Sequence, residues 1–156
     1  MEFAALLKRF TDAVEAGDGA ALATCFTEDG VYHDYIYGAF QGRSKIAEML
    51  EGYFHRDATD FKWDMLDPVS DGKAGYARYL FSFTSTMPAY KGRHVVIEGM
   101  ARYVLRDGLI ADYSEAINGG IAMAQLGVEP ERMARTFRRW ADEVLSKPEN
   151  ESHLRD

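Results

Sequence analysis

Near the start of the chain, Phe3, Leu6, Leu7, Phe10 and Val14 recur at the three-and-four spacing of a single stripe, while Glu2, Lys8, Arg9 and Asp12 occupy the other side. This predicts an amphipathic helix that stops at Gly17. Asp18 is placed to cap a second helix over residues 19–26, and the Glu28-Asp29-Gly30 turn then leads into a strand, GVYHDYIYG, at residues 30–38. A third helix follows Gly42, with Ile46, Met49, Leu50, Tyr53 and Phe54 on its inner side. From about Phe61 the period changes to two. Strands are predicted near residues 61–69, 74–86, 93–106 and 109–117, joined at Asp71-Gly72 and Asp107-Gly108 by the dipeptides that favour two-residue hairpins. Met133, Phe137, Trp140 and Val144 mark a last helix over residues 129–145, expected to pack by that stripe, and the tail KPENESHLRD is polar.

Helices first and an antiparallel sheet afterwards give an α+β fold, a curved sheet covered on one face by the N-terminal helices and leaving a cone open at one end. The pattern treats residues 1–146 as one domain with an added C-terminal helix and residues 147–156 as a flexible tail. Alternation within the strands decides where the polar groups point. Tyr32, Asp34 and Ile36 share one face of the first strand, and His33, Tyr35 and Tyr37 share the other, so adjacent His33 and Asp34 cannot form a dyad. His33 is expected at the surface or at a subunit contact.

A two-residue turn at Asp107-Gly108 would pair Leu105 with Ile110, Tyr103 with Asp112 and Met100 with Glu115. One face then carries Glu98, Met100, Arg102, Tyr113, Glu115 and Ile117, with Arg102 diagonal to Glu115 and able to hold it ionised. The other carries Gly99, Ala101, Tyr103, Asp112, Ser114 and Ala116, small enough to let a second sheet approach, which predicts a homodimer. The same reasoning at Asp71-Gly72 sets Arg78 beside Trp63, Met65, Asp67 and Tyr76, where it can pair with Asp67 or line a pocket.

Composition removes several classes of function. A net charge of -7 argues against nucleic acid or anionic membrane as a partner. No stretch approaches the ~18 apolar residues of a membrane span, and the start lacks a basic signal region, so a cytoplasmic location is expected. The lone Cys25 lies in an apolar helix and reads as core packing. Histidines 33, 55, 94 and 153 have no metal-ligand spacing, and no glycine-rich nucleotide motif occurs, so neither metal nor cofactor is expected. A carboxylate walled by aromatic and aliphatic groups, in contrast, loses hydration and becomes a better base near neutral pH.

The opening helix ending in Ala16-Gly17-Asp18, the stretch FTEDGVYHD, the Gly42-Arg43 helix start and the close DGLIADYSEAINGG, followed by Gln125-Leu126-Gly127, resemble in this order the SnoaL-like proteins of the nuclear transport factor 2-like superfamily over residues 2–127. The resemblance implies a cone of helices on a bent sheet, a pocket inside it and homodimers. The fold hosts isomerases, cyclases, dehydratases, epoxide hydrolases and binding domains, so it names no reaction. Asp34 falls where ketosteroid isomerase carries its general base. The isomerase's two oxyanion donors fall on Phe10 and Met100, which cannot donate. The final-strand acid of limonene epoxide hydrolase and the polyketide cyclases falls on Glu115, with Asn118 in place of their second acid and no acid in Arg78-Tyr79-Leu80.

The expected function is therefore a cofactor-independent isomerase, cyclase or hydrolyase that moves protons on a small apolar or aromatic metabolite. Asp34 and Glu115 are the catalytic acids, and Phe10, Tyr32, Trp63, Arg78, Met100, Arg102, Tyr113 and Ile117 line the ligand. Two alternatives stay open: a non-catalytic binder of a small hydrophobic ligand, and a dimeric scaffold.

Overall fold

A computed structural model of the chain describes residues 2–155, which fall into two compact units dividing after Leu126. The first unit opens with α1 (Phe3–Ala16), whose stripe buries Leu6, Leu7, Phe10 and Val14. Gly17 ends it in the left-handed region at φ 70°, and the Asp18 carboxylate caps α2 (Gly19–Thr24) by accepting the Ala21 N–H at 2.9 Å. Then come β1 (Phe26–Asp34), β2 (Gly38–Gln41), and α3 (Arg43–Met49), which runs on through a π turn at Leu50–Phe54 into the short α4 (His55–Asp57). The unit closes with β3 (Ala58–Ser70), β4 (Ala74–Ser85), β5 (His94–Arg106), β6 (Leu109–Ile117) and α5 (Gly119–Leu126).

The strands form one six-stranded sheet in the order β2-β1-β6-β5-β4-β3, antiparallel except for the parallel pairing of β1 with β6. The sheet is mixed and does not close, and with the helices on its inner face it makes the α+β cone. The strand ends lie close to those read from the period-two pattern. The second helix stops short of Phe26, which already begins β1, and β2, the parallel pairing and α5 have no counterpart in the sequence reading. Gln125 of α5 serves as a substitute strand partner: its Oε1 accepts the Val96 N–H at 2.9 Å and its Nε2 donates to the Val96 carbonyl at 2.8 Å.

Register is where the structure departs from expectation. Asp107 and Gly108, at φ 54° and 75°, do form the two-residue turn, and Leu105 pairs with Ile110. One extra residue, Ala111, then bulges out of β6, so Val104 pairs with Asp112, Tyr103 with Tyr113 and Ala101 with Glu115. On β3, Asp67-Pro68 oppose a single residue of β4, with Asp67 at φ 51°, and a second bulge lies at Asp60, φ 54°. Both bulges sit on an edge strand, where they bend the sheet and spoil the edge for further pairing. A slip of one residue moves every side chain beyond it to the opposite face.

The second unit holds α6 (Pro130–Ser146), starting with proline in its first turn, and a six-residue 3₁₀ segment at Pro148–His153 in the tail. No residue of α6 is buried; the Phe137 and Trp140 rings sit 5.9 Å apart. Among the described residues no helix is long and apolar enough to cross a membrane.

Candidate active site

The interior of the cone is built from rings. Phe10, fully buried, reaches Phe26, Tyr32, Trp63, Tyr103 and Tyr113 at centroid separations of 5.2–6.2 Å. Tyr32 and Tyr113 pack 4.5 Å apart, as their neighbouring places on β1 and β6 dictate. Beside these two buried tyrosines, and in register with them, lie the partly exposed carboxylates of Asp34 and Glu115.

Asp34 ends β1. Its Oδ2 accepts the N–H groups of Ile36 and Tyr37 at 2.9 and 2.8 Å, an Asx turn that leaves Oδ1 for other partners. Ile36 therefore lies in a turn, 57% exposed, and does not share the inner face as expected from a regular strand. The turn is tied down by the Tyr37 hydroxyl, which donates to Asp57 at 2.5 Å. Burial pushes the Asp34 carboxyl up to about 6, against the two backbone donors that favour its charge.

Glu115, on β6, accepts the hydroxyls of Tyr79 and Tyr113 on the same oxygen, Oε2, each at 2.8 Å. Burial first, and the Asp34 charge second, push it up to about 7, while the two phenols pull the other way. Burial raises the phenols of Tyr32, Tyr79, Tyr103 and Tyr113, with the Glu115 charge as the next cause, so all four stay protonated donors at neutral pH. Among the described residues neither acid forms an ion pair with an arginine or lysine. Trp63, packed against Tyr79 and Phe81, keeps a buried Nε1–H with no hydrogen-bond partner, the sole such side-chain atom among the described residues.

The structure thus brings together Asp34, Glu115, Tyr32, Trp63 and Tyr113, with Ile117 partly buried against them, and it adds Tyr79, which the sequence reading did not select. Phe10 is core. Arg78, Met100 and Arg102 fall on the outer face. Met100 is 50% exposed, Arg78 pairs with Asp67 at 3.5 Å, and Arg102 lies 3.9 Å from Asp112, so the expected Arg102–Glu115 contact is replaced by the two phenols. His33 is outward too, with Nε2 2.9 Å from Asp112 Oδ2. The small face predicted for a dimer is divided: Gly99 and Ala101 face inward, Ser114 and Ala116 outward. Tyr79 could have been found from Gly99, a glycine in mid-strand where a large neighbour needs room.

Open concavities of about 430 Å³, between Thr27, Arg43 and Arg106, and about 220 Å³, between Phe3, Ser70 and Leu105, lie away from both acids. Among the described residues no cluster of three or more His, Cys, Asp or Glu could hold a metal ion.

A model of the SnoaL-like domain matches residues 7–113. Solved structures of the same fold include TsrD from Streptomyces laurentii, at 20% identity and TM-score 0.70, covering 83% of this chain and 99% of that one. A hypothetical protein with a ketosteroid isomerase-like fold from Catenulispora acidiphila, in complex with trimethylamine, has 16% identity and TM-score 0.70 over 80% and 93% of the two chains. The LEH-like epoxide hydrolase of M. tuberculosis has 15% identity and TM-score 0.64 over 78% and 86%. No curated protein matches the sequence.

Proposed function

The chain belongs to the SnoaL-like domain family, and on that premise we propose that it is a cofactor-independent enzyme of the isomerase, cyclase or hydrolyase kind, in which Asp34 and Glu115 move protons on a small, largely apolar substrate. The observation that carries this reading is the pair of carboxylates on the inner face, close enough for one charge to raise the other and each with one oxygen that no donor among the described residues holds. Asp34 supplies the base through Oδ1, and Glu115, whose carboxyl burial and the Asp34 charge push up, supplies the acid. Tyrosine rings and Trp63 provide the apolar wall, and the unpaired Trp63 N–H suits an oxygen of the ligand. The test is deuterium exchange. A ligand recovered with the purified protein, returned to it in D2O and followed by mass spectrometry, should gain deuterium at an acidic C–H; binding without exchange moves the weight to a non-catalytic carrier. The rings of Phe10, Tyr32, Tyr103 and Tyr113, buried inside the cone, favour a different alternative, the dimeric scaffold.

Both acids titrate above the ordinary carboxylate values of 3.8 and 4.5. A raised folded-state value means stability that is fully present below about pH 4 and lost as pH rises through 6 to 7. Urea unfolding of the wild type should therefore show this contribution falling over that interval, and Glu115→Gln should flatten the fall. An unchanged slope in the variant would contradict the assignment.

We also expect a homodimer formed through the outer face of the sheet, where Tyr76, Val96 and Met100 are 44–50% exposed. Light scattering should give twice the 17.6 kDa chain mass; a monomer at micromolar concentration overturns it.

A further inference from the structure

Tyr79 and Glu115 stand on β4 and β6, with β5 between them, so their hydrogen bond must cross a strand. Tyr79 is paired across the ladder with Gly99, and Glu115 with Ala101. The phenol lies over β5 at the one place where that strand has no side chain. A Cβ built on Gly99 would collide with Tyr79 Cζ, stand 2.5 Å from its hydroxyl oxygen and 2.7 Å from Ile117 Cγ2. Such separations are far inside van der Waals contact. Tyr79 has little freedom to yield, being 2% exposed with its ring against Trp63 at 5.5 Å.

Backbone conformation does not account for this glycine. Gly99 is absent from the positive-φ glycines, so its strand geometry is open to any residue, and a glycine in mid-strand weakens the ladder. Space is the reason left. We propose that Gly99 is a positioning residue: the gap at 99 lets the Tyr79 hydroxyl cross β5 and hold Glu115 Oε2, and a side chain there removes that hydrogen bond. The proposal rests on the reading of Glu115 as the site acid, but its geometry stands apart from any turnover. Tyr113 reaches Glu115 from the same strand two residues away and needs no such gap. Gly99 thus governs one of two donors, and through it how readily the acid gives up its proton.

The test is the titration of Glu115 followed by carbon-13 NMR of its carboxyl, without substrate, in the full-length wild type, Tyr79→Phe, Gly99→Ala and the double variant. A phenol donating to the carboxylate favours the ionised form, so its loss should raise the Glu115 midpoint above about 7. Gly99→Ala should move it the same way as Tyr79→Phe, and the double variant no further than either. An unmoved midpoint in Gly99→Ala, or in Tyr79→Phe, overturns the proposal. Gly99→Ala should also lower the denaturation midpoint. Tyr79→Leu, which removes the ring that the new methyl meets, should recover it, so a Gly99→Ala protein that does not fold still gives an answer through Gly99→Ala/Tyr79→Leu. Failure of that rescue assigns the glycine to Ile117 or the backbone and overturns the role through Tyr79. A positive titration result with no deuterium exchange on any ligand would keep the positioning role and discard the catalytic reading.

Discussion

Asp34→Asn is expected to slow exchange or turnover by ~10²-fold or more, the usual scale for a lost general base, while leaving the fold in place. The fold should survive because the amide keeps an oxygen able to accept the Ile36 and Tyr37 N–H groups that close the turn after β1. Chemistry should fail because the amide cannot take a proton at neutral pH, and the apolar surroundings that raise Asp34 to about 6 are what make it a usable base there. The rate at saturating ligand is the quantity to measure, together with the urea midpoint as the control for folding. A variant that keeps its full rate removes Asp34 from the mechanism and leaves Glu115 to act alone or the protein to act as a carrier.

The parts of the fold visible in the sequence are those decided by neighbours. The α1 stripe, the Gly17 stop, the Asp18 cap and the Asp107-Gly108 turn each depend on a few adjacent residues, and each is found in place. The faces of the strands depend on pairing across the sheet, and two single-residue bulges are enough to exchange them. Asp34 faces inward because β1 is regular over its last residues, whereas Arg78, Met100 and Arg102 would face inward only in hairpins without the extra residues at Asp67-Pro68 and Ala111. One signal was present: proline inside a predicted strand marks an edge or a bulge, and Pro68 is at both. Ala111 gives no comparable sign. Glu115 reached the inner face in spite of the wrong register because its own strand was continuous with Tyr113, and the residues misplaced were its supposed partners. The cation expected beside it is a pair of phenols, which makes the site an acid kept near neutrality where the sequence suggested one held ionised.

Phe10→Ala is expected to cost about 3–5 kcal/mol of stability, the largest effect of any single truncation considered, because the ring is a packing hub with no exposed surface. It stacks on Tyr32 with planes 3° apart and meets Trp63 and Tyr103 edge-on at 73° and 84°, joining α1 to β1, β3, β5 and β6 at one point. Removing it leaves a void whose walls are rings hydrogen-bonded or wedged elsewhere: Tyr113 on Glu115, Tyr103 on Met65, and Trp63 against Phe81. Such walls relax poorly, which puts the cost in the upper part of the range for an aromatic truncation. Urea unfolding at fixed pH measures it. The same variant separates packing from chemistry. Tyr32 and Tyr113 lose a neighbour while Asp34 keeps its turn, so a folded Phe10→Ala protein should retain an Asp34 titration above the ordinary range. A cost below about 1 kcal/mol would mean that the interior closes over the gap without help from α1, and that the rings beside the two carboxylates are held by the sheet alone.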